Sequence, residues 1–150
     1  MTESSVSSKF QADLRKALPG CEVIKHADKS MIGMLDASIT YNKKTVWVEY
    51  KLIRPATSGV VWRDFLHKGM WEPKAVAMAS PTQYATACRL ATAGFCCYLF
   101  WVMDHEAIRQ RIARVVLWHP ITGNRQVLEN NQQLVDWFGD YLHGYHGLTE

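Results

Sequence analysis

A chain of 150 residues with 48% hydrophobic and 11% aromatic content can close a single domain around a sizeable core. Only 21% of it is charged, which argues against extensive disorder, and its longest apolar run, Phe95 to Met103, is about half of what a bilayer span needs. The net charge of +3 is uneven: residues 1–70 hold 11 Lys/Arg against 7 Asp/Glu and the remainder 6 against 7, so the first part is the one suited to a polyanionic partner. The four cysteines form no CxxC and two are adjacent in an apolar run. They read as small hydrophobes in a reducing compartment, with no disulfide frame and no signal peptide ahead of Ser7.

Residues 1–6 form a polar lead expected to be loose. Ser7 or Ser8 then caps a helix to about Leu18, with Phe10, Leu14, Ala17 and Leu18 on one face and Pro19-Gly20 as its stop. Cys21 to Lys25 is a short strand, and His26 to Ser30 a turn-forming link toward Gly33. From Gly33 to Lys51 the pattern is a β-hairpin: Asp36 opens the first arm, Asn42-Lys43-Lys44 supplies the turn, and Thr45 to Ile53 is the second arm. Alternation puts Val46, Val48 and Tyr50 on one face of that arm and Trp47, Glu49 and Lys51 on the other.

The stretch from Arg54 to Ala79 is punctuated by Pro55, Gly59, Gly69 and Pro73, leaving room for one or two helical turns between Val61 and Lys68. Its Arg54, Trp62, Arg63, His67, Lys68, Trp71 and Lys74 suit two roles equally, packing of a loop onto the sheet or contact with nucleic acid. Ser80-Pro81-Thr82-Gln83 has the cap, first-turn proline and glutamine of a helix start, and the helix runs through Ala91 to a stop at Gly94. Phe95 to Met103 is a buried central strand. After Asp104 come a short helix to about Ile112, a strand Ala113 to Trp118, a turn, a strand Arg125 to Leu128 and a helix Asn130 to Leu142. The tail beyond His143 reads as frayed, and its two histidines, with no cysteine beside them, make a poor zinc site.

The hairpin holds three polar groups that an apolar strand has no structural reason to carry. If Tyr41 faces Thr45, Asp36 falls opposite Glu49 or Tyr50, so a carboxylate from each arm and the Lys51 ammonium can meet at one end. Two carboxylates held together repel unless a cation separates them. A hard divalent ion such as Mg²⁺ meets that need through carboxylate oxygens, water and a backbone carbonyl, here that of Tyr50. Such an ion polarises a phosphoryl oxygen and lowers the pKa of bound water. Lys51 is then available to orient or deprotonate the water, or to offset transition-state charge. The chemistry implied is phosphodiester hydrolysis.

Asp36 followed by Glu49-Tyr50-Lys51 across a short hairpin resembles the PD-(D/E)xK nuclease superfamily. Within it the chain is most similar to small phage nucleases of the VRR-NUC and Holliday-junction-resolvase branches. The supporting residues are Ser8-Lys9-Phe10-Gln11, Val23-Ile24-Lys25, Gly33-Met34-Leu35-Asp36, Val48 to Lys51, and Ser80 to Gln83 before Gly94-Phe95, spanning about residues 8–103. The resemblance implies an α/β, restriction-endonuclease-like core of helix, three strands, helix and strand, extended over 104–150 by a strand pair and helix, all in one domain. It implies Asp36 and Glu49 as metal ligands, Lys51 as the catalytic lysine and Gln83 as a supporting polar residue. Lys9, Lys25, Arg54, Arg63 and Lys68 are the candidate DNA contacts. The expected cofactor is Mg²⁺ with Mn²⁺ as a substitute, the expected partner DNA, branched DNA included, and the expected form a homodimer in phage or host cytoplasm. Two departures stand out: Leu35 replaces the family's proline, and the first helix as delimited here offers Asp13, not a glutamate, as an additional ligand.

Competing readings attach to the same residues. Glu49 and Lys51 could be a cross-strand ion pair on a solvated face, Asp36 a turn starter, Gln83 half of a capping box, and Lys25 a solvent-facing strand lysine. At the level of the whole chain, the alternatives are a nuclease-like fold kept as a catalytically silent binding module in a replication, packaging or anti-host assembly, or an adaptor that acts on a host protein.

Overall fold

The computed structural model describes residues 1–26, 33–54, 72–103 and 111–144. It is a mixed α/β structure with a six-stranded sheet. The elements in chain order are helix α1 (Glu3–Ala17), strands β1 (Glu22–Lys25), β2 (Ala37–Tyr41) and β3 (Lys44–Ile53), helices α2 (Pro73–Met78) and α3 (Pro81–Ala93), strands β4 (Phe95–Met103), β5 (Ile112–Trp118) and β6 (Arg125–Leu128), and helix α4 (Asn131–Leu142). Strand order follows the sequence from β1 to β6; β3 and β4 run parallel and every other neighbouring pair is antiparallel. The parallel step requires a crossover, and α2 and α3 fall within it.

Helices cover both faces. On one, Phe10 and Leu14 of α1 and Leu134, Phe138 and Leu142 of α4 pack on Val46, Val48 and Tyr50 of β3 and on Leu99 and Trp101 of β4. On the other, Ala77 of α2, Ala87 of α3 and Leu35 pack on Cys96, Tyr98, Phe100 and Trp118. A strand covered on both sides needs apolar residues at consecutive positions, which is why β4 reads as an unbroken apolar run. The adjacent Cys96 and Cys97 are free, fully buried and divided between the two faces, and burial raises both thiol pKa values, that of Cys96 to about 12.

Three boundaries differ from expectation. Helix α1 begins within the expected loose lead: Thr2 caps it by accepting from Ser5 N at 3.1 Å, and Ser5 Oγ accepts in return from Thr2 N. A reciprocal capping pair satisfies two of the first-turn N–H groups, so the helix starts there and not at Ser7 or Ser8. The hairpin turn has two residues, Asn42 and Lys43, both with positive φ, and Lys44 already pairs with Tyr41. Mirror-image two-residue turns match the twist of the strands they join, and the register follows from that. Finally, part of the stretch read as an irregular loop is α2, entered through Pro73 at the first helical position. The helical turns expected between Val61 and Lys68, and most of the helix expected after Asp104, lie outside the described residues; Ile112 itself belongs to β5.

Gly33 fixes the approach to β2. Its φ is +82°, and a side-chain carbon there would come within 2.7 Å of Thr82 O at the start of α3. Only glycine meets both conditions. The segment leading to Asp36 is thereby seated against the helix that carries Gln83.

Candidate functional site

The pairing of β2 with β3 ends at Ala37 opposite Val48, so the next residues on the two arms are Asp36 and Glu49. From Glu49 to Ile53 the β2-facing edge of β3 has no strand among the described residues beside it, while β4 continues along the other edge. Backbone N–H groups along such an edge need acceptors. Two carboxylates supply them: Tyr50 N donates to Asp36 Oδ2 at 2.8 Å and Leu52 N donates to Glu3 Oε2 at 3.2 Å. In a strand the N–H and C=O of one residue point to the same side, so the Tyr50 carbonyl shares this edge with Asp36 and Glu3.

Glu49 is 2% exposed and the one charged side chain among the buried described residues. Its Oε1 accepts from Asp36 N at 3.2 Å and its Oε2 pairs with Lys51 Nζ at 3.1 Å. Lys51 Nζ also donates to Gln83 Oε1 at 3.4 Å. The hairpin therefore brings Asp36, Glu49 and Lys51 together, and α3 adds Gln83. Ser80 makes no side-chain cap bond, so the expected capping box is absent and Gln83 spends its carbonyl on Lys51. Nor is Glu49 with Lys51 a solvated pair, because the carboxylate is sealed from solvent.

Burial, then the neighbouring Asp36 carboxylate, push the Glu49 carboxyl up to about 8; Lys51 opposes the shift without cancelling it. Glu3 is raised too, mainly by burial, with Asp36 contributing and the Leu52 N–H opposing. Negative charge is thus under-compensated around Asp36, the carboxylate common to both groups.

A cleft of about 240 Å³ reaches Asp36 and Tyr50 from the α1 side and is walled by Glu3, Ser4, Ser7 and Gln11 of α1, by Lys25 at the end of β1 and by His26 just after it. Glu49 and Lys51 lie behind Asp36, outside the cleft lining. Gln11 is 1% exposed; its Nε2 donates to Tyr50 OH at 2.9 Å while its Oε1 is buried with no partner among the described residues. His26 N donates to Asp36 O, and the His26 ring stacks on Trp47 with Nε2 3.0 Å from Ser38 Oγ. All four buried polar side chains of the described residues, Ser7, Gln11, Ser38 and Glu49, belong to this neighbourhood.

No family model matches this chain, and no curated protein does.

The other expected residues divide. Lys25, beside the cleft, donates to Ser8 Oγ at 3.2 Å. Lys9 faces away, in an ion pair with Asp13 at 3.2 Å. Arg54 donates to Met1 O, next to the first turn of α1. Arg63 and Lys68 lie outside the described residues. Asp13, the one first-helix acid considered from the sequence, accepts from Asn131 on α4 at 2.7 Å and does not line the cleft. Glu3 does. Sequence reasoning missed it, together with Ser7, Gln11 and His26; the available signal was Thr2 followed by an acidic residue and Ser5, a capping pattern that moves the helix start upstream.

The donor set fits a hard cation. Asp36 has an oxygen not committed to Tyr50 N, Glu49 is held against it, and the Tyr50 carbonyl flanks both. Among the described residues no three His, Cys, Asp or Glu side chains converge on one point, so a cation here would complete its shell with the carbonyl and water. No helix among the described residues is long and apolar enough to cross a membrane.

Proposed function

We propose that this chain is a divalent-metal-dependent DNA nuclease of the PD-(D/E)xK type built on the restriction-endonuclease-like core. The observation that carries the reading is the convergence of Asp36, Glu49 and Lys51 where β2 ends, with a buried carboxylate between the other two. A purely structural ion pair would be better placed in solvent, since sealing a carboxylate from water costs several kcal/mol. Retention of that arrangement beside a second carboxylate is what a cation site requires. The order of helix, three strands, helix and strand, with parallel β3 and β4, is in keeping with the proposed core.

Mg²⁺, or Mn²⁺ in its place, would be held by Asp36, Glu49 and the Tyr50 carbonyl, and would supply polarisation of a phosphoryl oxygen and a more acidic bound water. The protein's own groups divide the remaining work. Lys51, oriented by Glu49 and Gln83, orients the attacking water or offsets charge on the phosphorane-like oxygens. Glu3, fixed by Leu52 N, adds a second acidic wall beside Asp36 and would fill the first-helix role for which Asp13 was the one acid considered. Lys25 stands at the cleft wall, where it can take a substrate phosphate.

The test is incubation of the purified protein with Mg²⁺ or Mn²⁺ and a panel of linear, nicked, flapped and four-way-junction DNAs. Cleavage that disappears with chelation and with Asp36→Ala is expected. Binding without cleavage of any substrate in either metal would replace this reading with a silent binding module.

A further inference from the structure

The turn between β5 and β6 is folded around the ring of His119. Its Nδ1 accepts from both Ile121 N and Thr122 N at 3.2 Å, and the backbone closes the turn through His119 N to Asn124 O and Gly123 N to His119 O. An imidazole nitrogen that accepts from two N–H groups carries no proton, so the ring is neutral with its hydrogen on Nε2. Ile121, Thr122 and Gly123 are exposed, and Asn124 N adds one bond to Thr122 Oγ1 at 3.2 Å. So exposed a turn draws little from apolar burial and leans on the His119 acceptor.

The same turn holds the helix that serves the candidate site. Tyr84 OH donates to Pro120 O at 3.2 Å, and the Tyr84 ring stacks on Trp118 with 6.5 Å between centroids. In the first turn of α3, Tyr84 follows Thr82, whose backbone lies against Gly33, and Gln83, whose carbonyl accepts from Lys51. The His119 ring itself meets Phe95 edge-on at 6.1 Å. Around it the titratable and charged side chains are Tyr84, on Pro120; Tyr141, on Phe95, with Lys44 Nζ 5.4 Å above it; and Arg125, opposite Trp118 and paired with Glu72 at 3.6 Å. Burial lowers the ring from its ordinary 6.5 and raises both tyrosines, so of these three only the ring takes up a proton as the solution turns acid.

We propose that His119 is a pH-sensitive anchor for this site: a proton on Nδ1 opens the 119–124 turn, releases Tyr84 from Pro120 and slackens the hold of Gln83 on Lys51. The protonated ring sets an N–H against two backbone N–H groups, so two bonds are lost and a repulsion takes their place. The proton comes from solvent and no covalent bond changes. Because the folded turn favours the neutral ring, its stability is full above pH 6.5 and declines as pH falls below that value. As control of cleavage this rests on the nuclease reading; the coupling of the turn to Gln83 does not.

The experiment is a titration of the metal-free ¹⁵N-labelled protein from about pH 7.5 downward, following the Ile121 and Thr122 amides and the Gln83 side-chain amide. All three are expected to move with one midpoint below 6.5, shared with the carbon-bound protons of the His119 ring. Glu49, pushed up to about 8, titrates above this window. In His119→Asn the side-chain oxygen accepts from the same N–H groups without titrating, so the turn persists and the shared midpoint disappears. Tyr84→Phe cuts the link: the turn still titrates and Gln83 no longer follows, which carries the test if His119→Asn does not fold. The proposal is overturned if Ile121 and Thr122 ignore the ring, if Gln83 stays still while they move or still follows them in Tyr84→Phe, or if the midpoint survives in His119→Asn. A protein that titrates as expected yet cuts no DNA removes the nuclease reading and leaves the anchor standing.

Discussion

The two halves of β3 are one strand under two regimes. From Lys44 to Val48 it is paired with β2, and its edge groups are spent on an ordinary antiparallel ladder. From Glu49 to Ile53 that partner is gone, and carboxylates from Asp36 and from α1 take over the backbone donors. The paired half is stabilised by neighbours that come with the hairpin. The unpaired half is stabilised by acidic side chains taken out of water beside one another, a cost, from burial first and mutual repulsion second, that shows in the raised pKa values of Glu49 and Glu3. Ending a strand early is thus a way to concentrate negative charge at one place while keeping the backbone satisfied.

The sharpest way to break the contrast is Asp36→Ala. It leaves Tyr50 N without its acceptor and removes one of the two carboxylates; cleavage should fall by about 10³-fold or more, with the circular dichroism spectrum retained. Wild-type rates in the purified mutant would remove Asp36 from the site. Next in size is Gly33→Ala, which forces a side chain into Thr82 at a positive φ; chemical denaturation should register a loss of about 1–3 kcal/mol. An unchanged midpoint would mean that the segment leading to Asp36 is not seated on α3.

Glu49→Gln separates stability from activity. The folded carboxyl keeps its proton up to about pH 8 while the unfolded chain releases it near 4.5, so folding takes up a proton between those values. The associated stability is full below about pH 4.5 and falls as pH rises toward 8. The amide variant should abolish cleavage, flatten that slope, and be more stable than the parent at pH 8 by about 0.5–2 kcal/mol. Identical pH profiles for the two proteins in thermal unfolding would contradict the buried, under-compensated carboxylate. The smallest effect belongs to Glu3→Gln, whose amide oxygen can still accept from Leu52 N. Stability should move by less than about 0.5 kcal/mol while cleavage falls roughly tenfold. Thr45→Val, in the paired half, should alter neither, and a cleavage defect there would erase the distinction between the halves.

What was readable in the sequence follows the same division. Alternation along the second arm put Val46, Val48 and Tyr50 on one face and Glu49 and Lys51 on the other, and the packing of Val46, Val48 and Tyr50 under α1 bears this out. The order helix, strand, hairpin, helix, strand was legible too, because Pro81, Gly94 and the apolar run of β4 are strong punctuation. The turn was misjudged by one residue: a lysine with φ of +63° is unusual, and nothing in the polar run Asn42-Lys43-Lys44 reveals which residue resumes the strand. Of the two pairings left open for Asp36, the two-residue turn selects Glu49. Glu3 and Gln11 were hidden for a different reason. Their significance comes from contacts with Leu52 and Tyr50, far along the chain, and periodicity carries no record of such partners.

The parallel pairing of β3 with β4 also orders events in time. Asp36 and Glu49 meet through a hairpin, among the most local contacts in the sheet, whereas Gln83 and the β4 backing arrive only after a crossover of some forty residues has closed. A chain emerging from the ribosome therefore assembles its two carboxylates before it can bury them or give Lys51 its second partner. Early amide protection in β2 and β3, ahead of β4, is the signature in pulse-labelled refolding, and simultaneous protection of all three would deny it. Until the crossover closes, the nascent hairpin is an open acidic clip, free to take up a cation with none of the surrounding restraint.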